Sequence, residues 1–238
     1  MFAAYTARVD KTPVGFFDSG IGGLTVLREA VKVLPSEQSY IYLSDREYAP
    51  YGDKSPEYII KRADACVKKL ISCGCKAVVV ACNTATCVAI DYLREKYTVP
   101  IIGTEPAVMP AVRECGKRDI LVLATPSCAE INNKNKKNLR GLCDKLNSEG
   151  HNIIVSPQAG LAALIEDNLG NAEVLCNACN RILNAHPDIC AIVLGCTHYV
   201  FLRSYFEELT DSRVKLFDGN RGVAMRLKAV LENERINV

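Results

Sequence analysis

Short apolar runs alternate with longer amphipathic stretches along this chain, and that alternation sets the expected fold. Val14-Gly15-Phe16-Phe17 has no polar position, as a strand buried on both faces requires. Residues 23–34 carry apolar side chains at helical spacing and stop at Pro35, which cannot continue a helix. Residues 39–43 predict a second strand. Over 55–72 Ser55 is set to cap a helix, Pro56 suits its first turn, and Ile59, Ile60, Ala63, Val67 and Leu70 form one stripe. A third strand is expected at 76–81, then a helix to about Lys96, then strands at 101–102, 120–123, 152–155 and 191–194 with helical patterns between. Strands alternating with helices predict an α/β protein with mainly parallel sheets. Ligands then sit beyond the carboxyl ends of the strands.

An internal echo divides the chain. Lys76-Ala77-Val78-Val79-Val80-Ala81-Cys82-Asn83-Thr84 and Cys190-Ala191-Ile192-Val193-Leu194-Gly195-Cys196-Thr197-His198 share one layout: an apolar strand, a small residue, then Cys with polar residues behind it. The two cysteines lie 114 residues apart, about one domain's length. Two similar α/β domains are expected, each offering one thiol at a strand's end to a cleft between them.

Composition narrows the function classes. Hydrophobic residues at 49% and charged residues at 24% exclude intrinsic disorder, and no apolar run approaches the roughly 20 residues of a membrane span. A net charge of +2 calls for neither nucleic acid nor a membrane as partner. The basic run at 134–140 reads as a solvated helix face. Twelve cysteines, about 5% of the chain, fall below the density of a disulfide scaffold. Residues 1–12 read as a loose N-terminal tail with no secretory signal, so a cytoplasmic protein with reduced thiols is expected.

The paired thiols are the strongest chemical signal. Asn83-Thr84 and Thr197-His198 follow them with polar groups that a core position would not need. Racemising an amino acid removes the Cα proton from one face and delivers a proton to the other, which two facing bases accomplish and one does not. A thiol, with its reference pKa of about 8.5, can serve as acid or base near neutral pH. The turn Asp18-Ser19-Gly20-Ile21-Gly22-Gly23 exposes backbone N–H groups able to hold an anion, while the dinucleotide and phosphate-loop glycine patterns are absent. Asp18 beside it suits protons or an ammonium better than phosphate.

Phe17-Asp18-Ser19-Gly20-Ile21-Gly22-Gly23-Leu24-Thr25-Val26, Pro50-Tyr51-Gly52, Ala81-Cys82-Asn83-Thr84-Ala85 and Leu194-Gly195-Cys196-Thr197-His198-Tyr199, in this order, resemble the motifs of the glutamate racemases in the aspartate/glutamate racemase family. The resemblance runs from about Val14 to the end. It implies a cofactor-independent, metal-free 1,1-proton transfer on glutamate that supplies D-glutamate for peptidoglycan. Cys82 and Cys196 match the two acid/base thiols, the first acting on D-glutamate and the second on L-glutamate. Asp18 and His198 match the polar groups that assist them, and Glu166 matches a Glu beside the motif His. Asp18, Ser19, Pro50, Tyr51, Gly52, Asn83, Thr84, Thr125, Thr197 and His198 match substrate-binding positions. The family's return of the chain to the first domain would come after Lys215, giving 13–104 plus 215–238 as the first domain and 105–214 as the second. A homodimer is compatible with the sequence.

Three departures stand out. Cys128 replaces a second substrate-holding Thr three residues after Thr125, Gly103-Thr104-Glu105-Pro106 is one residue short, and Val200 replaces a Pro. The related aspartate racemases typically carry Glu where this chain has His198, which favours the glutamate branch over the alternative, an aspartate or broad-specificity racemase. No Arg lies in the four motifs, so neutral donors are expected to hold the substrate's carboxylates. Rival readings are a binding protein that has lost turnover, and a redox or zinc protein built on Cys176-Asn177-Ala178-Cys179. That CxxC lies in a helical stretch with no second pair to complete a site. His151 and His186 have no motif around them.

Overall fold

The computed structural model describes residues 12–130 and 139–236. In chain order these form β1 (Val14–Asp18), α1 (Leu24–Val33), β2 (Tyr40–Ser44), α2 (Pro56–Ser72), β3 (Ala77–Val80), α3 (Asn83–Lys96), β4 (Ile101–Gly103), α4 (Val108–Cys115), β5 (Asp119–Ala124) and α5 (Pro126–Glu130). There follow α6 (Leu139–Ser148), β6 (Asn152–Pro157), α7 (Leu161–Asp167), α8 (Ala172–Ala185), β7 (Ala191–Leu194), α9 (Arg203–Leu209), β8 (Lys215–Phe217) and α10 (Asn220–Ile236).

The strands make two four-stranded sheets, ordered β2-β1-β3-β4 and β6-β5-β7-β8, and every pairing is parallel. The central strands β1, β3 and β7 are buried at every position, which is why they read as unbroken apolar runs. In the first sheet Phe17, Val78 and Val80 pack under α2 and α3, while Val14, Phe16, Ala77 and Val79 face α1 and α10. The second sheet is covered in the same way, by α4, α5 and α6 on one face and α7, α8 and α9 on the other. Helix α2 begins as its sequence predicts: the Ser55 hydroxyl accepts from the Tyr58 N–H at 3.3 Å, Pro56 opens the first turn, and Ile59, Ala63, Val67 and Leu70 are buried.

One expected boundary shifts. The sequence places residues from Lys215 onward in the first domain, yet Lys215, Leu216 and Phe217 pair with Ala191, Ile192 and Val193 of β7 as the edge of the second sheet. The chain returns only with α10, where Val223, Ala224, Leu227 and Leu231 join the core beneath α1. Residues 1–11 of the N-terminal tail and residues 134–138 of the basic run lie outside the described residues, while Arg140 of that run is exposed on α6. Among the described residues no helix is long and apolar enough to cross a membrane.

Candidate active site

Parallel strands and short connections put the same kind of corner at β1, β3, β5 and β7: a strand's carboxyl end feeding a helical turn. Cys82 occupies the residue that caps α3, where its Sγ accepts from the Ala85 N–H at 3.5 Å. Cys196 stands just before a 3₁₀ turn over Thr197–Leu202. Both line one cavity of about 220 Å³, together with Ser19, Thr84, Thr125, Thr197, His198 and Glu166. That is below the roughly 300–1,000 Å³ of drug-sized clefts, a size for a small metabolite.

The two thiols differ electrostatically. Burial pushes Cys82 up to about 12, and the negative Asp18 adds to the rise against the opposing hydrogen bonds from Ser19 and the Ala85 N–H. Cys82 is therefore a protonated thiol at neutral pH. Burial also raises Cys196, but His198 draws it back: the imidazole Nδ1 sits 3.9 Å from Sγ. His198 itself is pulled down by burial, and Cys196, Asp18 and Glu166 outweigh that to lift it to about 10. Its Nε2 lies 2.6 Å from Glu166 Oε2, so the ring is held as a cation between a carboxylate and a thiol.

Carboxylates knit the two sheets together behind the thiols. Asp18 Oδ1 accepts from the Gly20 N–H at 2.8 Å, closing a turn on its own backbone, and Oδ2 accepts from the Thr197 hydroxyl at 3.1 Å. Glu166, on α7, accepts from the Ile21 N–H at 3.3 Å and faces the Arg46 Nε at 3.2 Å. The N–H groups at Gly20 and Ile21, read from sequence as an anion cradle, are thus taken by the protein's own carboxylates. Thr84 and Thr125 hydroxyls meet at 2.9 Å across the seam between α3 and β5.

The structure brings most of the expected site residues together and moves a few aside. Ser19, Pro50, Tyr51, Gly52, Thr84, Thr125, Thr197 and His198 line the cavity with both thiols and Glu166. Asp18 and Asn83 are buried behind the lining. The Tyr51 hydroxyl donates to Asp45, which Arg62 also holds, so Tyr51 can offer a ligand its backbone but not that proton. Four polar lining residues, Arg46, Asp53, Gln158 and Asp167, are not legible in the sequence because none lies in a motif. Arg46 adds a cation to the lining, where it is paired with Glu166. Cys176 and Cys179 lie on α8, with Cys179 fully buried in the core of the second sheet.

The chain also matches known proteins. The family described as Asp/Glu/Hydantoin racemase matches residues 22–226. The chain belongs to this family. A glutamate racemase of Clostridium perfringens is 41% identical over 229 residues, which is 95% of this chain and 85% of that protein. Among solved structures, Escherichia coli glutamate racemase in complex with L-glutamate and the activator UDP-MurNAc-ala superposes with a TM-score of 0.80 at 30% identity, covering 94% of this chain and 83% of that one. Glutamate racemase from Francisella tularensis in complex with D-glutamate gives 0.73 at 28% identity, covering 95% and 83%. This racemase-family chain also carries a pH signature. His198 takes its proton up more tightly folded (about 10) than unfolded (about 6.5), so its contribution to stability is complete below about pH 6.5 and declines as pH rises toward 10. Between about pH 6.5 and 8.5, before free thiols titrate, urea unfolding should show stability falling in the parent and staying flatter in His198→Asn. Parallel slopes in the two proteins would contradict a protonated His198.

Proposed function

We propose that this chain racemises glutamate without a cofactor, using Cys82 and Cys196 as acid and base. The observation that carries the reading is a pair of chemically unequal thiols reaching one small cavity from two different sheets. The reaction needs one proton acceptor and one proton donor on opposite faces of Cα. Cys196, beside a protonated His198, is the more thiolate-prone of the two and would take the Cα proton of L-glutamate. Cys82, held as a thiol, would deliver the proton that makes D-glutamate. The swapped protonation state then runs the reverse reaction. Asp18 and Glu166 act through other groups: Asp18 orients Thr197 and keeps Cys82 protonated, while Glu166 fixes the His198 ring.

Glutamate is favoured as substrate over aspartate by the names of relatives at 30% identity or more, and by His198 in the second cysteine motif. By the same resemblance the product would be D-glutamate for peptidoglycan, made in the cytoplasm.

Incubating pure protein with L-glutamate or L-aspartate in deuterated water tests mechanism and substrate together. Early in the reaction D-glutamate should carry solvent deuterium at Cα while remaining L-glutamate carries little, because the abstracting thiol faces only its own side. Aspartate is one methylene shorter and would leave distal donors unpaired at about 1–3 kcal/mol each, so glutamate should lead in kcat/KM by on the order of a hundredfold. Equal early labelling of substrate and product would remove the two-base mechanism, and equal rates for the two acids would remove the substrate assignment.

A further inference from the structure

Helix α3 and the segment from β5 into α5 meet along a seam with two rungs. The first is the Thr84–Thr125 hydroxyl pair at 2.9 Å, and both threonines line the cavity. The second lies three residues further along each segment, where the Cys87 and Cys128 sulfurs stand 2.9 Å apart. Cys87 belongs to the first half of the chain and Cys128 to the second. Cys128 is the residue that departs from the family pattern at a position where a substrate-holding Thr is usual, and its sulfur is turned to Cys87.

We propose that Cys87 and Cys128 form a reversible dithiol–disulfide couple, oxidised by small-molecule disulfides of the glutathione type, whose closure switches the active site off. The effect on turnover rests on the racemase reading, whereas the couple itself does not.

The chemistry balances as two thiol–disulfide exchanges. Cys87, half-buried and therefore reachable, attacks one sulfur of the small disulfide as its thiolate; a Cys87–small-thiol bond forms and one small thiolate leaves. Cys128 then attacks the Cys87 sulfur, the protein disulfide forms, and the second small thiolate leaves. The protein loses two electrons and two protons, and the oxidant gains them as two thiols. Cys128 is 1% exposed and held as a thiol by its contact with Cys87 and by burial, so the second exchange is the slow one and quickens as pH rises.

The geometry also says what closure would do. A disulfide needs its sulfurs about 2.05 Å apart, so the seam must tighten by somewhat less than an ångström. One helical turn away that movement reaches Thr84 and Thr125 in the cavity wall, and the bond then ties the two halves against any opening that admits substrate. Misplacement on that scale costs catalysis about a hundredfold. A second contacting thiol pair, Cys115 and Cys190, lies at the amino end of the second sheet, so a bond between them would leave the cavity untouched.

The test treats reduced full-length protein with oxidised glutathione, blocks free thiols by alkylation, and maps peptides by mass. A linked peptide containing Cys87 and Cys128 is expected, with racemisation down about a hundredfold and restored by dithiothreitol. Cys87→Ser should keep the parent's activity when reduced and keep it after oxidation. Absence of the linked peptide overturns the proposal, as does linked protein that turns over at the reduced rate, or equal loss in Cys87→Ser. The mass map needs no activity and no variant, so an inactive reduced protein would count against the racemase reading while the linked peptide alone still decides the couple.

Discussion

Cys82→Ala and Cys196→Ala should each reduce glutamate racemisation by on the order of a thousandfold or more, the upper range for losing a positioned acid or base. Neither half-reaction can finish without the other thiol: one sulfur holds the abstracted proton on its own face while the product needs a proton on the other. The two variants should differ in stability. Cys82 caps α3 through the Ala85 N–H, so alanine removes a weak sulfur cap and costs less than the roughly 0.5–2 kcal/mol of an oxygen cap. Cys196 makes no such cap, and its neighbour His198 stays tied to Glu166. Cys82→Ser separates the two roles, because a serine hydroxyl is a good cap and a far weaker acid and base than a thiol. Its melting temperature should return toward the parent's while its activity stays as low as that of the alanine protein. Near-parental turnover in any of the three, measured by circular dichroism of glutamate, would end the two-thiol mechanism.

The sequence made the strands and both thiol corners legible for a common physical reason. Residues such as Val78-Val79-Val80 and Ile192-Val193-Leu194 are buried on both sides, so they print an unbroken apolar run followed at once by the polar residues of a turn. Strand β8 escaped because it is a three-residue edge with an exposed Lys215 and half-buried neighbours, and that moved the expected boundary between the halves. Arg46 escaped for a different reason. It reaches the cavity from a single 3₁₀ turn over Arg46–Tyr48, and only the folded chain brings it to Glu166, 120 residues later. The glycine turn was the instructive misreading. From sequence its small residues suggested a cradle for a ligand's anion; folded, the same turn is filled by Asp18, Glu166 and His198. Local spacing indicated that the backbone there must approach something closely, but not that the something belonged to the other half of the chain.

That close approach makes Gly22→Ala the second substitution with a large expected effect. Gly22 is not among the glycines with positive φ, so its backbone conformation would accept alanine. What would not accept it is the space. A Cβ at Gly22 would lie 2.5 Å from the Thr197 hydroxyl, 2.7 Å from His198 Nδ1 and 2.8 Å from the His198 backbone nitrogen. The Thr197 side chain could turn away, but the backbone nitrogen cannot, so the first sheet's turn must withdraw from the second sheet's Cys196 corner. Withdrawal stretches the Thr197–Asp18 and Ile21–Glu166 hydrogen bonds together, and with them the orientation of His198 against Cys196. Overpacking of this kind costs about 1–3 kcal/mol in stability, and a site displaced by an ångström loses about a hundredfold in rate. Gly222→Ala is the matched control, because it lies within α10 with nothing near its Cβ, and alanine there should stabilise by about 0.5–1 kcal/mol without touching turnover. Steady-state kcat/KM for L-glutamate in the two variants decides the matter: a folded Gly22→Ala protein working at the parent's rate would mean that the two corners need not hold this spacing for proton transfer.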